Sequence, residues 1–545
     1  MTSTAVRPSP WAPLRRSTYR MLFLAQLGSN IGTWMQTVAA QWLLVGRPDS
    51  ATLVSLVQTA SLLPVFFLSL PAGVFADTMD RRKLLWITST AVAVCVGLLA
   101  ILTATGGISP WVLLAFTFVI GCGSALTGPA WQAIQPELVP REEIPAAAAL
   151  GSITVNGARA VGPAIAGFLV ALLGPAPVFA LNAVSFLGIA FATFAWHRPK
   201  SATRTDPEPI SEAIFSGLRY LRAAPGVRRI ILRSVLFAAP ASALWALLPV
   251  AASSRLGLGA GGYGVLLGAL GIGAVGGAVL LPRLRAKFSA NVVLAASALT
   301  FGIGTLAVGF FPLVVTAILL IVAGIAWIMT LSTLNATLQL AVPAWVRARG
   351  MAAYILAFMG AQAIASFAWG LVANGIGLHT TLAISAGLLV LVAVSVRILP
   401  LHSSTGTRDL RIAPAMPEPA LVFEPDPRDG PVLVSITYGV AEPAVEDFLT
   451  AMRDVELTRR RTGAHRWRLY RDGEDATRFV EQFSVPSWGE HLRQHSDRLT
   501  SSEQANLDRV LALSDTETHT VEHLFATRVH AAHAAQPERE HPNTG

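Results

Sequence analysis

Residues 73–83 read GVFADTMDRRK, and they place five charges in one tight cluster between two long apolar stretches. After the cluster, residues 84–136 contain no Asp, Glu, Lys or Arg. A helix that crosses a bilayer needs about 20 mostly apolar residues. The charged cluster is therefore predicted to be a short loop between two membrane-spanning helices.

The composition of the whole chain supports a membrane protein. Of the 545 residues, 13 % are charged, and the mean hydropathy is +0.55, whereas soluble domains carry about 25 % charged residues. The net charge of +9 is interpreted as the positive bias of cytoplasmic loops, so the lipid bilayer is an expected partner and nucleic acid is not. Cys95 and Cys122 both lie in apolar runs, and we expect no disulfide framework, metal or cofactor.

Twelve apolar runs are long enough to span a membrane, at 21–45, 52–76, 84–105, 111–135, 145–173, 177–196, 230–253, 261–282, 290–311, 313–338, 350–374 and 378–399. Arg233 falls in the first turn of the seventh run. Basic residues concentrate in the N-terminus and in alternate loops, whereas the opposite loops carry only Arg47 and Arg255. This asymmetry predicts a multi-pass protein of the inner (plasma) membrane with both termini in the cytoplasm.

The two halves of the chain repeat each other. GVFADTMDRRK (73–83) aligns with GAVLLPRLRAK (277–287) at an offset of 204 residues. Two further matches occur at an offset of 203 residues: the Val-Pro pair at 139–140 recurs at 342–343, and Trp42 recurs as Trp245. Six helices per repeat give both halves the same orientation. Parallel six-helix repeats joined by a long cytoplasmic loop are typical of major facilitator transporters.

The charged cluster also resembles the loop 2–3 motif of the major facilitator superfamily, Gly-x-x-x-Asp-Arg-x-Gly-Arg-Arg. Thr78 and Asp80 depart from this motif, and four residues match it: Gly73, Asp77, Arg81 and Arg82. Residues 128–167 resemble the transmembrane secretion effectors, an enterobactin exporter-like group of bacterial drug and siderophore exporters. The resemblance implies a secondary transporter that exports a small molecule by alternating access, coupled to protons.

Within that family the loop latches the two halves together when the protein opens outward. The second repeat has Leu281 where the first has Asp77, so only one side of the gate would carry the acid. The alternative is that the cluster only fixes topology. Because the helix interiors contain no Asp or Glu, Asp77 is the best candidate for a protonatable group.

Polar residues recur along one face of the first span, at spacings of four, three and four: Asn30, Trp34, Thr37 and Gln41. Such a stripe is costly in lipid and is predicted to face the protein interior or a water-filled path. In the fifth span, Asn156 precedes Arg159, which lies about 20 Å along the helix and near mid-membrane. The alternative role for Arg159 is structural, as a donor to first-helix amides and carbonyls.

The eleventh span adds Gln362, Ser366 and Trp369 on one face, whereas Trp131, Trp245 and Trp327 are predicted to be packing residues. A cavity lined by amides, aromatic rings and one cation suits a catecholate siderophore or a macrocyclic drug. Gly162, Pro163 and Gly167 are similar to the antiporter motif G-x-x-x-G-P-x-x-G-G, with Ala at 158 and 166. Plain helix packing is the alternative reading of that motif.

The complete prediction is an all-α membrane protein of twelve transmembrane helices followed by a cytoplasmic α+β domain. The segments are a transporter at 1–400 (repeats about 14–196 and 230–400, cytoplasmic loop 197–229), a linker at 401–430, a soluble domain at 431–527 and a disordered tail at 528–545. The soluble domain has a strand–helix–strand–strand–helix–strand pattern, similar to the ferredoxin-like domain of antibiotic-biosynthesis monooxygenases.

No convincing catalytic set is found in that domain, so the chain is predicted not to be an enzyme. The alternatives are a monooxygenase-like enzyme or a sensor that acts on the same solute, and self-association through the domain is a further hypothesis. His491 and His495 are spaced i, i+4, which suits a metal, but no third ligand is evident. They are therefore predicted to lie on a solvated helix face.

Overall fold

The computed structural model describes residues 9–196, 210–401, 409–414 and 421–527, without the side chains of 69–70, 73–74, 76–78, 136, 210–214 and 516. The predicted disordered tail at 528–545 lies outside these residues, as do parts of the predicted 197–229 loop and 401–430 linker. The chain forms two compact units. The helical unit is Met1–Ile210, Gly226–Val342 and Arg347–Gly406, and the tail unit is Ser211–Pro225, Pro343–Val346 and Thr407–Gly545.

The first thirteen α-helices are α1 (Ser17–Leu44), α2 (Ser50–Thr78), α3 (Arg81–Ala104), α4 (Pro110–Leu138), α5 (Ile144–Leu173), α6 (Pro175–Ala195), α7 (Ile210–Ala223), α8 (Pro225–Ser254), α9 (Ala260–Lys287), α10 (Ala290–Phe310), α11 (Leu313–Ala341), α12 (Arg347–Ile376) and α13 (Leu378–Val394). Every helix except α7 corresponds to a predicted span. Within the described residues, ten helices are long and apolar enough to cross a membrane. A multi-pass helical membrane protein is thus confirmed, while spanning by α1 and by the 17-residue α13 remains a prediction.

Consecutive helices of the helical unit run in opposite directions. We call the side at which α1 begins the near side and the side at which α1 ends the far side. Helices α1–α6 form the N-terminal half and α8–α13 the C-terminal half. The two halves meet mainly where α5 packs on α9 and where α2 packs on α12.

The α2–α12 contact starts at the far side and extends toward mid-helix. Asn374 Nδ2 donates a hydrogen bond to Thr52 Oγ1 over 2.6 Å, close to the far-side ends of both helices. Deeper, Thr59 Oγ1 donates to the carbonyl oxygen of Ala363 over 2.8 Å. Two hydrogen bonds at successive depths along α2 and α12 therefore join the halves.

The α5–α9 contact uses glycine. A Cβ added to Gly167 would lie 2.8 Å from Cα of Gly264, so the two backbones touch near the far side. Closer to the near side, a Cβ added to Gly157 of α5 or Gly276 of α9 would meet no heavy atom within 4 Å. The contact between the two halves at Gly167 and Gly264 therefore lies at the far side of the α5–α9 pair.

Arg233 is not in the first turn of its helix, because α8 begins at Pro225. Its side chain is buried, and its guanidinium donates to the carbonyl oxygens of Ser395 at 2.7 Å and Leu399 at 2.6 Å, at and just beyond the end of α13. Carbonyls at a helix C-terminus lack intrahelical partners and carry partial negative charge. The carbonyls at and beyond the end of α13 therefore stabilise the buried cation of α8.

The tail unit holds one antiparallel sheet with strand order β2-β3-β1-β4. Its elements are β1 (Val432–Gly439), α14 (Val445–Thr462), β2 (Arg468–Arg471), β3 (Arg478–Val485), α15 (Trp488–Arg493), α16 (Ser501–Ala512) and β4 (Asp515–Phe525). Alternate residues of β1 bury their side chains in a core with Phe448 and Val455 of α14. The order of strands and helices agrees with the predicted pattern, except that the second helix is divided between α15 and α16.

The tail unit also contains two stretches that are far from β1 in sequence. Arg219 of α7 donates to Glu490 over 2.6 Å, and Arg498 donates to both oxygens of the same carboxylate at 2.6 and 3.0 Å. The Arg498 guanidinium lies 4.7 Å from the centre of the Trp345 ring, against which Tyr220 packs edge-on. The predicted cytoplasmic loop at 197–229 is thus not a plain loop, since it contributes a helix to this unit.

Candidate functional site

Arg159 lies half-way along α5 and faces the first helix. Its guanidinium carbon is 5.4 Å from the centre of the Trp34 ring, a cation–π contact. Arg159 Nε is buried and has no hydrogen-bond partner among the described residues. The structure therefore brings together Arg159 and Trp34, two of the predicted site residues. The alternative structural role had Arg159 donate to amides and carbonyls of the first helix, whereas the contact observed is with the face of an aromatic ring.

A chain of aromatic rings continues from Trp34 into the C-terminal half. The Trp34 ring lies 6.1 Å from that of Trp245 in α8, and Trp245 lies 5.3 Å from Trp327 in α11. Trp327 in turn lies 5.9 Å from Phe358 in α12. We call Arg159 and these four rings the central array. It crosses the interface between the halves near the middle of the helices.

The other predicted residues of α1 differ in their surroundings. Gln41 accepts a hydrogen bond of 2.6 Å from Tyr263 of α9, so it joins the two halves on the far side of Trp34. Thr37 donates to the carbonyl of Thr33 in its own helix, and Asn30 accepts from Gln26. Only Trp34 and Gln41 of this stripe therefore show a described contact with the C-terminal half.

Asn156 donates to the carbonyl of Ser152 in its own helix, and it shows no described contact with Arg159. Gln362 and Ser366 are both buried on α12, and Ser366 Oγ has no described partner. Trp369, one turn beyond, donates its indole N–H to the carbonyl of Ala239 over 2.8 Å. Tertiary packing thus uses Trp369, while the hydroxyl of Ser366 is left unpaired within the described structure.

The small residues of α5 serve helix packing on two sides. A Cβ added to Gly162 would lie 2.7 Å from Cβ of Trp34, and a Cβ added to Gly264 would lie 2.7 Å from the carbonyl oxygen of Pro163. Together with the Gly167–Gly264 contact, this stripe fits α5 between α1 and α9. It thereby fixes the position of Arg159 and closes the far side.

The charged loop joins helices of the N-terminal half. Asp80 caps the N-terminus of α3, and Arg81 Nη1 forms an ion pair of 2.7 Å with Glu137 near the end of α4. Arg82 donates to the carbonyl oxygens of Thr193 and Phe194 at the end of α6. Gly73 and Asp77 lie within the last turns of α2. The structure does not describe the surroundings of Gly73 or the side chain of Asp77, so the gate role remains a prediction.

The prediction of a solvated face for His491 and His495 is wrong. His491 Nε2 lies 3.0 Å from Nε2 of His523 on β4, and the His491 and His495 rings are 4.6 Å apart. Burial lowers the pKa of His491 to about 2 and that of His495 to about 4. Within the described part of the chain, no group of three His, Cys, Asp or Glu is arranged to hold a metal ion.

The transmembrane secretion effector family matches residues 8–530, nearly the whole chain. The chain belongs to this family of major facilitator transporters. It is therefore a membrane transporter, and the secondary export of small molecules predicted from the sequence agrees with its relatives. In Staphylococcus aureus, the staphyloferrin A transporter is 25 % identical over 301 residues, which cover 54 % of this chain and 74 % of that protein.

A second relative is the multidrug efflux pump Tap of Mycobacterium tuberculosis, 26 % identical over 426 residues, or 72 % of this chain and 95 % of the pump. Two solved transporters share the fold of the secretion effector. The nucleoside transporter NupG superposes with a TM-score of 0.58 at 14 % identity, over 70 % of this chain and 99 % of its own. An inward-facing bacterial homologue of the human lysosomal transporter Spinster superposes with a TM-score of 0.55 at 15 % identity, over 71 % of this chain and 95 % of its own.

Proposed function

We propose that the secretion effector exports a siderophore or drug-like molecule across the plasma membrane by alternating access, with α1–α6 and α8–α13 as its twelve transmembrane helices. Basic residues concentrate at the near side, at Arg81–Lys83 and Arg283–Lys287, and this bias supports a cytoplasmic near side with both termini inside.

The observation that carries this proposal is the central array. Arg159 and Trp34 belong to one half, and Trp245 belongs to the other. A solute bound among them would touch both halves, so a rocking motion could expose it first to one side and then to the other. Relatives named for staphyloferrin A, multidrug and macrolide transport support a medium-sized polar or aromatic solute.

Proton coupling through Asp77 is part of the proposal. Asp77 lies at the end of α2, beside a loop whose arginines contact the ends of α4 and α6. A carboxylate that changes its ion pairs between two conformations biases the equilibrium between them. Protonation of Asp77 would then favour one conformation of the transporter over the other.

We also propose that residues 431–527 form a ferredoxin-like domain without catalytic activity, in which the 401–430 linker precedes β1. The buried carboxylate of Glu481 accepts hydrogen bonds from Tyr438, Arg459 and Trp467. Its oxygens are therefore occupied by structural contacts. Self-association would use the sheet face opposite α14, where Tyr470 and Leu524 are exposed.

The test is export from a bacterial host that lacks its own multidrug pumps. We expect the wild-type protein to lower the cellular accumulation of erythromycin or staphyloferrin A, and dissipation of the proton gradient to abolish the effect. An equal accumulation in cells with and without the protein, at verified membrane abundance, would contradict an export function. Oxygen consumption by the full-length protein in the presence of either solute would contradict a non-catalytic tail.

A further inference from the structure

Several buried polar groups on three helices of the C-terminal half have no hydrogen-bond partner among the described residues. They are Trp245 Nε1, Trp327 Nε1, Thr330 Oγ1, Thr333 Oγ1, Tyr354 OH and Ser366 Oγ. Trp327 is only 3 % exposed and Tyr354 only 4 %. Because a buried donor without a partner is unfavourable, such a concentration calls for a partner that is not part of the protein fold.

Other buried donors in the same half do have partners. The indole of Trp369 donates to Ala239, the hydroxyl of Ser385 donates to the carbonyl of Pro240 over 2.8 Å, and Thr316 donates to the carbonyl oxygens of Ala307 and Phe311. General loose packing therefore does not explain the unpaired groups.

The unpaired groups lie on and beside the central array. Trp245 and Trp327 belong to it, and Trp327 contacts Phe358. Thr330 follows Trp327 by three residues on α11, and Tyr354 precedes Phe358 by four on α12. Because these helices run in opposite directions, both steps lead toward the near side, so Thr330 and Tyr354 extend the array in that direction.

The chemistry of the array selects a class of ligand. Arg and Trp side chains only donate hydrogen bonds, and Arg159 adds a positive charge within a region whose helix interiors contain no Asp or Glu. A cationic solute would meet repulsion there without a compensating acid. An anion rich in acceptor oxygens would supply partners to both the guanidinium and the indole N–H groups.

We propose that the C-terminal half contributes a donor subsite, formed by Trp245, Trp327, Thr330 and Tyr354, for the oxygen acceptors of an anionic aromatic solute whose charge pairs with Arg159. This subsite rests on the proposed export function and gives the solute its class, an acceptor-rich aromatic carboxylate or catecholate. It assigns a binding role to Trp245 and Trp327, which the sequence predicts to be packing residues.

The experiment measures the affinity of the purified full-length protein for 2,3-dihydroxybenzoate, from the rise in melting temperature with concentration. The neutral 2,3-dihydroxybenzamide is the matched probe without the charge, and erythromycin is a probe of another class. Tyr354→Phe removes a hydroxyl that is unpaired in the structure, and Thr330→Val replaces one with a methyl group of similar size. We expect each variant to melt like wild type without probe and to bind the benzoate about 3- to 10-fold more weakly, as for one lost hydrogen bond.

The control is Thr316→Val on the same helix, whose hydroxyl is already used by the protein. It should lower the melting temperature without changing the affinity. Unchanged affinity for the benzoate in both Tyr354→Phe and Thr330→Val would overturn the subsite, since water alone would then be the partner. Binding of erythromycin but not of the benzoate to wild type would overturn the anionic class and leave export intact, whereas binding of neither would count against both proposals.

Discussion

Gly167→Ala should shift the secretion effector away from the conformation described here. The new Cβ would lie 2.7 Å from the carbonyl oxygen of Ala260 and 2.8 Å from Cα of Gly264, and backbone atoms cannot move aside as a side chain can. Overpacking of this kind costs about 1–3 kcal/mol. Alanine also favours the helix over glycine by about 1 kcal/mol, but that gain is the same in every conformation that keeps α5 helical and therefore cancels.

The clash is relieved when α5 and α9 part at the far side. We therefore expect the ratio of far-side-closed to far-side-open molecules to fall about 5- to 150-fold. Gly157→Ala is the matched control, because it lies on the same helix, gains the same propensity and meets no atom within 4 Å. It should leave the ratio unchanged.

Double electron–electron resonance measures the distance between spin labels attached to cysteines introduced at Pro48 and Ser254, and thereby the far-side distance between the halves. Both positions are exposed, and one lies in each half. Cys95 and Cys122 are first replaced by alanine so that only the introduced cysteines react. Gly167→Ala should add a population at longer distances. Identical distance distributions for Gly167→Ala and Gly157→Ala would refute the assignment of this contact as the far-side closure.

Four further predictions test other parts of the molecule. Arg159→Ala should abolish the rise in melting temperature caused by 2,3-dihydroxybenzoate and Arg159→Lys should retain part of it, both at normal membrane abundance; equal stabilisation of wild type and Arg159→Ala would exclude direct binding. Asp77→Asn should reduce export in vesicles while inserting normally, and normal flux with normal pH dependence would argue against a gate. Glu490→Gln should destabilise the tail unit by about 3–5 kcal/mol, because the arginines around this buried carboxylate lose their counter-charge. Faster amide hydrogen exchange in β1 would report the lost stability, and unchanged exchange would contradict the prediction. The folded-state pKa values of His491 and His495 lie below the ordinary value for histidine, so the unfolded chain binds more protons. The tail should therefore lose stability as the pH falls from about 6.5 toward 4. A His491→Gln, His495→Gln double variant should lose less stability over this range, and a pH profile identical to that of the wild type would contradict the burial of the two histidines.

The helical unit was largely predictable because hydropathy depends on local sequence. Every helix end in it lies within five residues of a predicted one. Two of the three largest differences occur where a helix continues past the apolar run, at Pro225 of α8 and Lys287 of α9, whereas α13 ends at Val394, before its predicted end. The bilayer sets the length of the apolar part only, so the charged turn beyond it leaves no hydropathy signal.

The site was predicted less completely. The spacing along α1 and α5 identified Trp34 and Arg159, but not the contact of Trp34 with Trp245, which lies more than 200 residues away. Tryptophans inside an apolar run show no contrast with their neighbours, so periodicity cannot identify a binding face. Whether the indole N–H of Trp327 has a hydrogen-bond partner depends on residues of other helices, which the local sequence does not specify.

The tail shows the same limit. His491 and His495 have the spacing of a helix face, and nothing nearby in sequence indicates that the face is covered. The covering residues include His523 on β4, whose place beside β1 is set by long-range strand pairing. Local periodicity indicated that the two histidines share a face but not what that face contacts.

The tail unit takes its parts from three distant stretches, and this has a consequence during synthesis. The ribosome releases α7 first, then Pro343–Val346, and only afterwards the strands and Glu490. Until residues 490–498 are synthesised, Arg219 lacks its acid, and Tyr220 and Trp345 lack the arginine that lies over the Trp345 ring. A chain that ends before Glu490 would therefore carry a complete set of membrane helices together with unsatisfied aromatic and cationic groups. Such groups are a feature by which a cell's quality control would distinguish unfinished transporters from finished ones.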